Sequence, residues 1–362
     1  MEKLPVDLFA YYFQQYHPIK ENDEWWGEGF TEWDLVKCNT PLFPDHYQPR
    51  VPADLGYYDL RDPSIFSKQA EMAKYAGLDG FIFYWYWFSG KKLLADPIYQ
   101  FMDRYEELGL KFMLLWHNGE WRRIWRKVNG KDYKWCEPLI GFDRKPEDDD
   151  KLMDDLIPIF NHPAYYKVNG RPVLLVMPFI SPFAAYTSIE AAKRATKLWR
   201  VRTRENGAEL LIGAATANLS VPIDYADFRF EYHPYVSKYA NKLFIAMGDR
   251  AGRCDVKDYS SIHKNMKFDI NSVPSVYTTG IDDSSRCYLE TIIMHNVNPN
   301  DYYIWLKKTL EHAQTNPAIP NNPLVFINAW NEWGMGLHLE PDQKWGWQYL
   351  DATRKAMYPE MA

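Results

Sequence analysis

The chain predicts an α/β fold, a (β/α)8 TIM barrel with long βα loops over the carboxyl-terminal face. Three observations carry that prediction. Short apolar runs alternate with amphipathic helical stretches along the 362 residues. Eight such runs can be counted. Reactive side chains gather just after the runs rather than inside them. Strands that alternate with helices pair in parallel, and eight of them close into a barrel. A doubly wound open sheet is the competing architecture, but no GxGxxG turn follows the first run. The length suits one large barrel, so residues 1–362 are expected to form a single domain.

The expected strands are Asp7–Phe13, Leu78–Tyr86, Lys111–His117, Arg171–Met177, Glu209–Ala214, Ala226–Tyr232, Pro274–Tyr277 and Pro323–Asn328. Each is a short apolar run of the kind a strand buried on both faces requires. Helical periodicity marks Ser64–Tyr75, Pro97–Leu108, Lys151–Ile159, Ile189–Arg204 and Asn300–Thr315 between them. After the first strand, Gln14–Gly56 is a long stretch rich in Pro, Gly and aromatics. Loops of that length inside a compact domain are usually functional covers. Asp143–Lys151 is an acidic run that reads as a solvated helix start rather than a metal site.

Composition narrows the function classes. Charged residues make up 25% and hydrophobic residues 46%, an ordinary globular balance. Aromatics reach 17%, with 15 Trp and 26 Tyr, more than a core alone asks for, so ring-lined surface is expected too. A net charge of −6 without a dense basic cluster argues against a nucleic-acid partner. Trp121–Lys127 is the one local basic patch, and a solvated face explains it as well as an anion site does. The four cysteines form no CxxC pair and no HxH or HxxxH pair exists, so neither a metal nor a cofactor is expected. No run of eighteen apolar residues occurs and the amino terminus lacks a signal-like stretch. The expectation is therefore no membrane insertion and a cytoplasmic location, or a periplasmic one where a signal peptide has been removed.

The ends of the expected strands supply the chemistry, as barrel geometry demands. They offer Gln15 and His17 after the first; Tyr84, Trp85, Tyr86 and Trp87 at the second; and His117, Asn118, Glu120 and Trp121 after the third. Glu231 and His233 follow the sixth, Asp282 and Asp283 the seventh, and Trp330, Asn331, Glu332 and Trp333 the eighth. Amides, imidazoles, carboxylates and indoles are what a polyhydroxylated ligand needs: polar forks for hydroxyls and flat rings for C–H faces. An oligo- or polysaccharide is the expected partner. Trp85, Trp87, Trp121, Trp330 and Trp333 are expected as the sugar platform. Cleavage of a glycosidic bond generally takes two carboxyl groups. Glu332, set between two indoles, is the first choice. Glu120, Glu231, Asp282 and Asp283 are the candidates for its partner, because sequence gives no separation between them.

Five blocks carry a family resemblance: Tyr16–Lys37 (YHPIKENDEWWGEGFTEWDLVK), Pro41–Pro63, Gly77–Leu94, Asn161–Val176 and Asn328–Asp342 (NAWNEWGMGLHLEPD). Together they resemble the WbsX family, named as polysaccharide-biosynthesis glycosyltransferases and related to glycoside hydrolase family 99, the endo-α-mannosidase group. The resemblance runs from about Phe9 to Gly346 and implies a (β/α)8 barrel and a carbohydrate substrate. In the hydrolase group the last strand ends in a motif like NEWxE. Its first Glu is understood as a base acting on the substrate 2-hydroxyl, its second as the acid for the leaving group. Glu332 matches the first, and Met335 stands at the second. Where related sequences read like WANENW, this one has WHNGEW, placing the carboxylate at Glu120. Another acid (Glu120, Glu231 or Glu340) serving as donor, a leaving group that needs none, or glycan binding without cleavage are the three outcomes this departure allows. A hydrolase-like enzyme is the leading expectation, ahead of a glycosyltransferase and a non-catalytic glycan-binding barrel.

Overall fold

The computed structural model describes residues 2–125, 127–145, 147–178, 184–215, 223–232, 240–243, 254–286 and 291–361. A ring of parallel strands forms the centre: β1 (Asp7–Tyr12), β2 (Gly80–Phe88), β3 (Lys111–Trp116), β4 (Arg171–Val176), β5 (Leu211–Ala215), β6 (Phe228–Phe230), β7 (Ser272–Val273), β8 (Ser275–Tyr277) and β9 (Leu324–Asn328). Pairing runs β9–β1–β2–β3–β4–β5–β6–β7 and, from the other side, β8–β9. Phe9 lies opposite both Gly80 and Phe326, which fixes the register of the first, second and last strands.

The expected seventh strand is thus two short pieces joined at Pro274. Proline brings no N–H to a ladder, so the chain stops pairing with β6 there and starts pairing with β9. Phe326 N–H still donates to the Pro274 carbonyl at 3.1 Å, and Glu231 N–H to Val273 at 2.9 Å. The Glu231 carboxylate accepts from Ser275 N–H at 3.1 Å on the far side of the break. A side chain closes the seam where backbone pairing changes hands.

Helices α3 (Ser64–Ala76), α4 (Asp96–Asp103), α5 (Tyr105–Leu108), α6 (Asp148–Phe160), α7 (Ile189–Glu205), α8 (Pro299–Thr315) and α9 (Gln348–Met357) clothe the ring. The stretch expected as one helix over Pro97–Leu108 bends at Arg104 into two. Ser188 caps α7 and Asn298 caps α8, each accepting from the third residue on, as N-cap side chains do. Among the described residues between β5 and β7 the only helices are two short turns, Tyr259–Ser261 and Ile262–Asn265. Asn241–Lys242 and Cys254–Asp258 in that stretch form a small sheet with Thr291–His295, which follows β8.

Side-chain parity on β2 decides what the barrel mouth receives. Both faces of β2 are buried, one toward the ring interior and one toward the helices. Phe81 and Phe83 pack on Phe101 of α4 at 6.1 and 5.2 Å between centroids, and Trp87 Nε1 donates to Asp155 of α6 at 2.9 Å. Odd positions therefore face the helical shell. Even positions, Tyr84 and Tyr86, face the interior and rise into the mouth.

The long segment after β1, loop-like in its composition, contains two short helices, α1 (Lys20–Trp26) and α2 (Glu32–Cys38). Thr31 and Asp34 form a reciprocal capping box at the start of α2. The segment is pinned across the barrel at its far end. His46 Nε2 and Gln48 Nε2 both reach Asp282 Oδ2 at 2.8 Å, and Arg50 Nη1 donates to the Gly336 carbonyl at 2.6 Å.

Candidate active site

A cleft of about 380 Å³ opens at the carboxyl ends of the strands, walled by Phe13, Tyr84, Tyr86, Trp26, Trp121 and Trp125, with Glu32, Glu120 and Glu332 as its carboxylates. Glu332 is only 5% exposed. Its backbone is held from both sides. Asn331 Oδ1 accepts from Phe13 N–H at 2.7 Å and its Nδ2 donates to the Phe13 carbonyl at 3.0 Å, tying the end of β9 to the end of β1. The Tyr16 hydroxyl donates to the Asn331 carbonyl and accepts from Trp333 N–H at 3.1 Å. Tyr84 brings its hydroxyl to 3.5 Å from Glu332 Oε2 and to 2.8 Å from the Tyr232 hydroxyl. Burial, then the charge of Glu332, holds the Tyr84 phenol well above the ordinary tyrosine value, so it remains a hydrogen-bond donor.

The wall on the β3 side is built by residues 117–125. Desolvation pushes the His117 imidazole down to about 4, leaving it neutral near pH 7. Glu120 forms an ion pair with Arg122 Nε at 2.5 Å. Trp121 stands edge-on to Tyr86 at 4.8 Å and to Phe88 at 5.7 Å. Trp26 and Trp125 meet at 4.7 Å and extend the ring surface outward. Arg123 pairs with Glu137 at 2.8 Å and lies over Trp26 and Tyr133, so of the basic patch Arg122 and Arg123 each meet a carboxylate. Among the described residues no group of three or more His, Cys, Asp or Glu side chains is gathered as metal ligands are.

Of the residues expected from sequence, Gln15, Tyr84, Tyr86, His117, Glu120, Trp121 and Glu332 meet in this cleft. The others stand elsewhere, for identifiable reasons. Trp85, Trp87 and Trp330 are at most 1% exposed, on the shell side of the barrel, with Trp330 against Phe81 at 5.0 Å. They are core, not platform. Trp333 stacks on His338 at 3.8 Å and donates to Glu340 Oε2 at 2.8 Å, behind the cleft wall. His17 is buried away from the cleft, and desolvation lowers its pKa. Asn118 is buried, with its carbonyl accepting from Ala185 N–H at 2.7 Å. Asn331 orients Glu332 from the side without lining the cleft. Glu231 serves the Pro274 seam, where desolvation pushes its carboxyl up to about 7 despite the Ser275 bond. Glu340 is likewise raised to about 7 by burial, and accepts from Gln69 at 2.7 Å and Tyr58 at 3.1 Å. Asp282 anchors the long segment, and Asp283 begins a 3-10 turn beside it. His233 lies outside the described residues.

Sequence reasoning missed Glu32. It lies in the same loop as Glu21, Asp23, Glu24, Glu28 and Asp34, and only tertiary contacts single it out. The carboxylate is 1% exposed, with Gln15 Nε2 donating to its Oε2 at 3.1 Å and Asn22 Nδ2 fixing the Gln15 amide at 3.3 Å.

Asp282 yields a pH prediction. Burial alone would raise its carboxyl. The His46 hydrogen bond, the Arg50 charge and the Ser284 side chain outweigh burial and hold it at about 2. A depressed folded-state value means this stability is fully present above the unfolded value near 4 and is lost as pH falls through about 2. The stake is about 2 kcal/mol. Chemical denaturation at stepped pH is expected to show a fall between about pH 4 and 2 that Asp282→Asn makes shallower.

The model of the family described as Glycosyltransferase WbsX matches residues 8–353. Two relatives described as uncharacterized protein WxcX, from two strains of Xanthomonas campestris pv. campestris, are each 37% identical over 368 residues. That alignment covers 98% of this chain and 50% of each relative, so the chain spans about half their length. Among solved structures, a glycoside hydrolase-like protein superposes with TM-score 0.58 at 14% identity, covering 98% of this chain and 94% of that one. The GH99 endo-alpha-mannosidase from Bacteroides thetaiotaomicron superposes with TM-score 0.56 at 16% identity, covering 98% and 96%. At such identities the likeness establishes the fold. Fold and family match together define the class: a TIM-barrel member of a family described as glycosyltransferases. The chain belongs to the WbsX glycosyltransferase family.

Proposed function

We propose that this chain is a glycoside hydrolase-like enzyme that cleaves a glycosidic bond in an oligo- or polysaccharide. Glu332 acts as base or nucleophile and a second carboxyl as acid. The observation that carries the reading is Glu332 itself, held by Asn331 and Tyr16 in a cleft walled by Tyr86, Trp121 and Trp26. Such rings offer C–H stacking faces while His117, Gln15 and the carboxylates offer hydroxyl partners. The relevant test is a glycan screen with product analysis, beginning with α-mannose-containing oligosaccharides because structures of like fold are described as endo-alpha-mannosidases. New reducing ends are expected. Binding without new ends leaves a glycan-binding barrel instead.

A transferase acting in surface-polysaccharide biosynthesis is the second reading, favoured by Met335 in the cleft and by the family's description. A nucleotide or phosphate leaving group departs without a protonating acid. Against it, Arg122, the one cationic side chain lining the cleft among the described residues, is already paired with Glu120. Nucleotide sugars would stabilise a transferase by about 2.7 kcal/mol at a hundredfold excess over Kd. A thermal-shift series is expected to show no such rise; a clear rise would install the transferase reading.

A further inference from the structure

We infer that Glu32, delivered from the loop after β1, is the proton-donating carboxyl that works opposite Glu332. This rests on the hydrolase reading above. The geometric evidence is the notch at Gly334. A Cβ built on Gly334 would fall inside the Glu32 carboxyl group, 2.7 Å from Cδ and 3.1 Å from Cγ. Real Cβ atoms do not approach that closely, so the carboxyl lies directly on the backbone at residue 334. Gly334 has no left-handed φ, and its lack of a side chain is a matter of space alone. The carboxyl thus occupies the step of chain between Glu332 and Met335, and all three side chains line one cleft. A second loop brings an acid to the place where the strand's own acid position holds a thioether.

The remaining cleft acid is committed elsewhere, since Glu120 is paired with Arg122. The local bonds of Glu32 are those of a positioned group. Asn22 sets the Gln15 amide, whose N–H donates to Oε2, and Oε1 lies over Gly334; as the acid, Glu32 carries the proton it donates. In the proposed step this proton passes to the glycosidic oxygen as its bond to the anomeric carbon breaks. Glu332 meanwhile adds to that carbon, or takes the 2-hydroxyl proton as that oxygen closes on it. Water then attacks the anomeric carbon, surrendering one proton to the Glu32 carboxylate. Glu332 departs, or returns the proton it took to the 2-oxygen as the three-membered ring reopens. One water is consumed and both groups return to their starting states.

Three measurements test this. First, the infrared difference between wild type and Glu32→Gln at pH 7 is expected to contain a protonated-carboxyl band; its absence overturns the assignment whether or not any glycan is cleaved. Second, with the glycan that the screen identifies, Glu32→Gln should lose on the order of 10²–10⁴ in kcat. The glycosyl fluoride of the same sugar, whose leaving group needs no proton, should turn over unchanged, and the alkaline limb of the pH profile should vanish. Equal losses on both substrates, or no loss on the glycan, overturn the proposal. Third, Gly334→Ala should reproduce the Glu32→Gln pattern by displacing the carboxyl, and adding Met335→Glu to Glu32→Gln should restore part of the glycan rate. A Gly334→Ala enzyme with wild-type kinetics would overturn the notch argument. Failure of the underlying reading looks different: Glu332→Gln would keep its turnover, or wild type would produce no reducing ends.

Discussion

Glu332→Gln is expected to fold as wild type does and to lose turnover by on the order of 10³–10⁴, or more. The amide keeps the volume and planarity of the carboxylate, so the packing around it is preserved. The backbone clamps made by Asn331 and Tyr16 do not involve the changed atoms. What disappears is the capacity to accept a proton or attack carbon. Unchanged melting temperature with unchanged kcat would remove Glu332 from the chemistry. Unchanged melting temperature with lost kcat and retained glycan affinity would place the defect in the reaction alone.

Trp85→Ala is expected to destabilise the protein by roughly 3–5 kcal/mol and to leave the affinity of surviving folded protein for glycans unaltered. Trp85 is 1% exposed and belongs to the shell-facing parity of β2. Truncation there opens a cavity between barrel and helices that neighbours fill only partly. Urea unfolding reads the first expectation and glycan titration the second. A large loss of affinity without loss of stability would return Trp85 to the ligand surface, where its residue type alone had put it. Trp121→Ala supplies the contrast, with the cost falling on binding.

The two variants mark how far the sequence could be read. Barrel class and the order of strands followed from apolar runs alternating with helical periodicity, and β3, α3 and α7 begin at the residues the pattern indicates. The end of β9 was legible because an apolar run turned abruptly into amide and acid. The inward and outward faces of β2 were not. In a strand buried on both sides the residues GFIFYWYWF show no polar alternation, so nothing local distinguishes Tyr84 from Trp85. Asp282 and Glu231 were illegible for another reason. Their partners, His46, Gln48 and Ser275, lie 44 to 236 positions away, and a carboxylate's duty is set by such partners. The short helices α1 and α2 carry too few turns to show a period, and Glu32 was hidden with them.

The division of labour along β2 also has a use. Since neighbouring positions on one strand answer to different surroundings, ligand preference and thermal robustness can be altered independently. Libraries randomised at Tyr86 and Trp121 would sample new sugar selectivities while the wedge of indoles and phenyl rings behind them stays as it is.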